Sequence, residues 1–206
     1  MQSFIIKLEN QNEDLINDDN ICCYLIDSSY KKEKINALAE RIHAGDRLLL
    51  VGGKDADDVC REHGLDGVVI EVSEDLPHKK QLLELRGKIG NGRFVGVICP
   101  LQRHAAMIIS ETEPDFVAFR IDDLERAREI ISWYNELFLI QSAAISGDAD
   151  CDLRGFDTDF LILTPEEFKI LVAKKESLDQ LLIKKINMKT KNNETISRIN
   201  QNWLGY

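Results

Sequence analysis

No stretch of this chain approaches 18 uninterrupted apolar residues, so the sequence offers no membrane-spanning helix. It has no Cys-x-x-Cys pair, and His43, His63, His78 and His104 are scattered, so no zinc site is spelled out. Basic residues are outnumbered, 26 Lys and Arg against 36 Asp and Glu, for a net charge of −10. That balance argues against nucleic acid as a partner, because its phosphates need clustered cations. The opening segment, MQSFIIKLENQNEDL, lacks a basic n-region and a long apolar h-region. No secretory signal is therefore expected, and the cytoplasm is the expected location. The cysteines are odd in number, and adjacent Cys22 and Cys23 point to opposite faces of a strand. Reduced thiols acting as small core residues are the expectation.

What the chain does have is alternation. Apolar, β-branched runs recur at Phe4–Leu8, Cys22–Ile26, Leu48–Val51, Gly67–Val72, Phe94–Cys99, Phe116–Ile121, Leu137–Ile140 and Phe160–Leu163. Nearly continuous apolar runs of this kind suit parallel strands buried on both faces. Between them, Ile35, Leu38, Ala39 and Ile42 follow i, i+3, i+4, i+7, the stripe of a helix that faces a core. Leu124, Ala127, Ile131 and Tyr134 repeat it. Strand–helix alternation implies a parallel sheet with helical crossovers, and about eight strands fit a compact (β/α)8 TIM barrel, with a doubly wound open sheet as the rival. The polar stretch Glu9–Asn20 is short for a crossover, so either the first helix is about two turns long or the first unit is degenerate. The expected organisation is one barrel domain over residues 1–186, including a C-terminal closing helix, and a polar tail over 187–206.

The segment Leu48–Pro77 carries a more specific pattern. Gly64-Leu65-Asp66-Gly67-Val68 reads as a helix-to-strand turn, and Glu74-Asp75-Leu76-Pro77 as a turn after the next strand. Gly96-Val97, Glu113-Pro114-Asp115-Phe116-Val117 and Gly155-Phe156-Asp157 follow in order. Together these resemble thiamine phosphate synthase and its TenI-type relatives over roughly residues 35–165. The resemblance implies a TIM barrel that joins a pyrimidine pyrophosphate to a thiazole phosphate in thiamine biosynthesis, with Mg2+ on the pyrophosphate. It implies Asp55 and Asp75 as metal ligands, positions that also suit acids at a helix N-cap, first turn or loop. It places Lys54 and Arg120 as substitute phosphate contacts, and Gln141-Ser142 where a Gly-Gly phosphate loop is expected after the seventh strand. Ser146-Gly147 is an alternative anion nest, crowded by Asp148, Asp150 and Asp152. His104, near the start of a helix after the fifth strand, is an acid–base candidate.

The chain departs from the family at several of these places. Cys22–Ser28 carries Asp27 and no cation where the family grips phosphate, and the position before the metal aspartate is Lys54. Ile98 and Pro100 stand where a serine and a histidine are expected. The expected partner is thus a small phosphorylated ligand, homo-oligomerisation is open, and the alternative is a non-catalytic or altered small-ligand-binding barrel that has lost the phosphate sites.

Overall fold

In a computed structural model of the chain, eight strands close into one all-parallel barrel in sequential order. The strands are β1 (Ser3–Leu8), β2 (Ile21–Asp27), β3 (Leu48–Gly52), β4 (Gly67–Glu71), β5 (Phe94–Cys99), β6 (Phe116–Ile121), β7 (Gln141–Ser146) and β8 (Phe160–Leu163). Among the described residues five helices lie between them: α1 (Lys32–His43), α2 (Ala56–His63), α3 (His78–Ile89), α4 (Arg103–Ser110) and α5 (Leu124–Leu137). The structure describes residues 2–9, 15, 16, 18–72, 78–90, 92–146, 153 and 155–174. The barrel is therefore a (β/α)8 TIM barrel, and the open-sheet alternative falls because β8 pairs with β1. Among the described residues of the β1–β2 link none is helical.

Contacts divide the chain into Met1–Pro165, which holds the barrel, and Glu166–Tyr206, whose described residues 166–174 are helical. The expected boundary at 186–187 lies outside the described residues, as do Asp75, Gly147 and Cys151.

Two sequence expectations need correction. The seventh run, Leu137–Ile140, is not the seventh strand: Leu137 ends α5 and Leu139 is fully exposed. Phe138 stacks on Tyr134 at 4.8 Å and its N–H donates to the Tyr134 carbonyl, so its ring closes the helix. The strand is the less apolar Gln141–Ser146, where Ala143 and Ala144 are small enough to be wholly enclosed. In α5 the inward face is Ala127, Ile130, Ile131 and Tyr134, while Leu124 is 43% exposed.

Inside the barrel, side chains alternate inward along each strand, as the period of two requires. Ile5, Cys23, Leu25, Leu50, Val69, Phe116, Ala118, Ala143, Ile145 and Ile162 form one core cluster. Phe116 and Phe160 meet edge to face at 5.9 Å. The Phe116 ring fits because Gly96 has no Cβ: one built there would lie 2.1 Å from the ring.

A repeated device closes the N-terminal end. Asp66, Asp115 and Asp159 each stand one residue before an even-numbered strand. Their carboxylates accept the N–H of Leu49, Val95 and Ser142 on the preceding strand at 2.7, 2.7 and 2.8 Å. Their own N–H groups donate to the carbonyls of those same residues. The aspartates of two motifs that carry the family resemblance are therefore structural latches at the end of the barrel opposite the strand C-termini. The third latch is Asp159, two residues beyond the Asp157 of the quoted motif.

Between barrel and helices, Tyr134 is fully buried and packs edge to face on Phe119 at 5.1 Å. Ser110 donates to the Ala106 carbonyl, so the Tyr134 hydroxyl donates to Ser110 Oγ at 3.1 Å. Burial pushes the Tyr134 phenol up to about 12, and burial likewise pushes the Cys99 thiol to about 12. Both groups fold in their neutral forms. Their contribution is intact below the unfolded values of 9.0 for Cys99 and 10.0 for Tyr134, and is lost as pH climbs through those values toward about 12. Melting temperatures should fall steeply above pH 9. In Tyr134→Phe the protein should lose about 1 kcal/mol at neutral pH yet decline less steeply above pH 10. Thermal melts from pH 7 to 11 check both, and parallel slopes for the two proteins would refute the assignment to Tyr134.

Candidate functional site

Side chains that share the inward face and stand at the strand C-termini define the barrel mouth, the end where sites of this fold lie. Lys7 shares the face of Ile5, Asp27 that of Leu25, Glu71 that of Val69, and Arg120 that of Ala118. This rim carries two cations and two anions. Asp27 accepts the backbone N–H of Ser29 at 2.9 Å and its hydroxyl, which hold its carboxyl below the ordinary carboxylate range; Lys7 helps. Beside it Gly53 takes φ +101°, and a Cβ there would fall 2.6 Å from Ser28 Oγ and 2.8 Å from Asp27 Oδ2. Glycine at that position lets the β3–α2 loop close over Asp27.

Next in this loop are Lys54 and Asp55, both exposed. Asp55 occupies the N-cap position of α2, but its side chain makes no capping hydrogen bond. Among the described residues, neither Lys54 nor Asp55 is held in an ion pair. Asp55 thus presents a free carboxylate at the C-terminal end of β3. No group of three or more Asp, Glu, His or Cys side chains gathers to hold a metal among the described residues. A single carboxylate nonetheless suits Mg2+, which keeps waters and substrate oxygens as its other ligands.

The remaining candidates scatter. Arg120 lines a cavity of about 410 Å3 over β4–β6, together with Glu71, Gln102, Asp122, Asp123 and Arg126. Its Nε and a terminal nitrogen both donate to Glu71 Oε1, at 3.1 and 2.7 Å. His104 is exposed on α4 and is not part of that lining. Its neighbour Arg103 pairs with Glu129 at 2.8 Å and lies over the Trp133 ring at 5.3 Å. Gln141 and Ser142 do not follow the seventh strand; they begin it, at the end away from the mouth. The error traces to the misplaced seventh run. Ser142 is buried and its N–H is spent on Asp159, so it offers no phosphate cradle. The residue that ends β7 at the mouth is Ser146, and Gly147 lies outside the described residues.

Sequence reading missed Glu71, which passes for the polar last residue of a strand. Its signal was parity: Gly67, Val69 and Glu71 alternate inward, as do Phe116, Ala118 and Arg120, so opposite charges end two strands on one interior face.

No protein-family model matches the chain. A curated thiamine-phosphate synthase from Rhodospirillum centenum is 32% identical over 101 residues, covering 45% of this chain and 46% of that protein. The matched region therefore spans about half the length of the curated relative. Among solved structures, tryptophan synthase from M. tuberculosis in an open form superposes with TM-score 0.54 at 10% identity, over 79% of this chain and 82% of the other. A structure titled native KDPGal gives TM-score 0.55 at 12% identity, over 79% and 81%. A designed cube-shaped, porous protein cage built from symmetric oligomeric domains gives TM-score 0.57 at 13% identity, over 100% and 86%. At these identities the likeness is one of fold. No helix among the described residues is long and apolar enough to cross a membrane.

Proposed function

We propose that this chain is a divergent barrel of the thiamine phosphate synthase and TenI kind, binding a small phosphorylated ligand at its C-terminal mouth with Mg2+ held in part by Asp55. The reaction assigned to it is the joining of a pyrimidine pyrophosphate to a thiazole phosphate. The observation that carries this reading is the uncapped, unpaired Asp55 carboxylate at the end of β3, inside a barrel whose sequence is similar to a synthase over 101 residues. A carboxylate left without a helix amide or a cation keeps its full charge for a metal.

When bound, Mg2+ would neutralise charge that develops on the departing pyrophosphate. The chain's own residues fix where that complex sits. Asp55 anchors it from β3, and Lys54 supplies a neighbouring ammonium for phosphate oxygens. Gly53, by letting the loop close on Asp27, sets where both side chains start. Arg120 serves as a phosphate contact only when it turns from Glu71.

A second reading, a ligand-binding barrel without catalysis, draws on that same Glu71–Arg120 pair and on Asp27 standing where a phosphate site needs cations. One incubation separates them. The protein with Mg2+, hydroxymethylpyrimidine pyrophosphate and thiazole phosphate should yield thiamine phosphate, and Asp55→Ala should lower that rate about a hundredfold or more. No product, with no calorimetric binding of either substrate, defeats the synthase reading. Product that persists in Asp55→Ala removes Asp55 from the metal site.

A further inference from the structure

The Glu71–Arg120 pair sits at a place that decides what the mouth can admit. β4 and β6 are not neighbours: β5 runs between them, pairing with each. Two strand spacings separate them, about 10 Å, and the side chain facing inward on β5 at this level is the apolar Ile98. Glu71 and Arg120 therefore span β5 and meet above Ile98, with the guanidinium turned onto Glu71 Oε1 through two of its N–H groups. A guanidinium whose charge is balanced in this way by a carboxylate attracts a phosphate less strongly, although three of its five N–H groups stay unused.

The rest of the lining sets the remaining charge. Two guanidinium groups, Arg120 and Arg126, face three carboxylates, Glu71, Asp122 and Asp123. Asp123 is engaged as the N-cap of α5, accepting the N–H groups of Glu125 and Arg126. Among the described residues the side chains of Asp122 and Arg126 form no ion pair, so the cavity offers one separate anion and one separate cation beside a neutralised pair. A free phosphate dianion entering it would gain Arg126 but meet Asp122 and a Glu71 that already holds the second guanidinium. A ligand that brings a positive group with its phosphate meets both signs.

We propose that Glu71 sets the charge selectivity of the cavity over β4–β6, turning away free phosphate anions and admitting a phosphorylated ligand that also carries a cationic group. Glu71 does this by holding Arg120 and by contributing its own charge. The inference needs only the pair and the cavity; it stands whether or not the barrel joins a pyrimidine to a thiazole.

Calorimetric titration of the full chain in Mg2+-free buffer tests it, with inorganic phosphate and phosphoethanolamine as probes. The wild-type protein should bind phosphoethanolamine about two- to fivefold more tightly than phosphate, the range set by pairs that water partly screens. Glu71→Gln should bind phosphate about two- to fivefold more tightly than wild type and lose the preference. In Glu71→Gln/Arg120→Gln the gain should vanish, which places the anion at Arg120. Glu71→Ser, with its fold checked by circular dichroism, repeats the measurement if the glutamine variant is unstable. Equal binding of both probes by wild type overturns the proposal, as does unchanged phosphate affinity in the folded Glu71 variants. Failure to bind either probe in any variant overturns it as well. Thiamine phosphate formation is read separately, so the two proposals fail independently.

Discussion

Gly67→Ala should destabilise the barrel by about 3 kcal/mol, the upper end of the usual cost of overpacking. A Cβ on Gly67 would lie 2.2 Å from the Phe94 carbonyl oxygen and 2.8 Å from its carbon. Gly67 and Phe94 are register partners on β4 and β5, so the obstacle is the neighbouring backbone itself. The strands must part by about an ångström, and in a closed barrel that displacement is passed to the next pair. A loss of this size lowers the melting temperature of a domain this large by roughly 6–12 °C. Gly96→Ala is the informative contrast, because the atoms in its way belong to the Phe116 ring. Trimming that ring, in Gly96→Ala/Phe116→Leu, should recover part of the loss, whereas no side-chain change at Phe94 can relieve Gly67→Ala. Urea midpoints at unchanged m-value measure all three. A cost below 1 kcal/mol for Gly67→Ala would mean that β4 and β5 do not approach this closely.

The aspartate latches should matter about twice as much in sum. Alanine at Asp66, Asp115 or Asp159 leaves the N–H of Leu49, Val95 or Ser142 without its acceptor. Those residues are 0%, 3% and 1% exposed, so water cannot readily take the place of the carboxylate. Each loss should cost about 2 kcal/mol, as expected for a buried donor that loses a charged partner. The latches stand on alternate strands, about 10 Å apart, far enough for the losses to add. The triple alanine variant then gives up about 6 kcal/mol, a large share of a domain's typical 5–15 kcal/mol. It should be largely unfolded at 37 °C by circular dichroism. Asparagine at the same positions keeps a carbonyl acceptor and should cost about half as much per site. If asparagine and alanine cost the same, the carboxylate-to-amide bonds are not what stabilises this end of the barrel.

These latches also explain how much the chain discloses in one dimension. Asp66 and Asp115 occur in motifs that stand out because their backbone geometry is demanding: a helix ends and a strand begins within a few residues. Gly64 takes φ +63° to cap α2, and Gly67 must lie against Phe94. Residues under such local constraint form short, recognisable words. They report the barrel and say nothing about what enters it, since they lie at the end away from the mouth. The candidate site is written differently. Asp55 and Lys54 could be counted from a motif, but whether Asp55 caps α2 or stays free depends on a side-chain orientation that no spacing fixes. The seventh strand was misplaced because Phe138, Leu139 and Ile140 are more apolar than Ala143 and Ala144. Enclosure in a barrel depends on fit as well as on hydropathy.

By itself the sequence determined the strand–helix alternation, seven of the eight strands, the inward stripe of α1 and an acidic net charge. Each of these follows from periodicity or composition, which are local or additive. Only the tertiary structure decided that the strands close, that Gln141 and Ser142 lie away from the mouth, and that Glu71 holds Arg120 across β5. Those outcomes depend on register and closure between residues distant in sequence, Glu71 and Arg120 by 49 positions and the β1–β8 partners Ser3 and Phe160 by far more, and such distances acquire meaning only when the chain is folded.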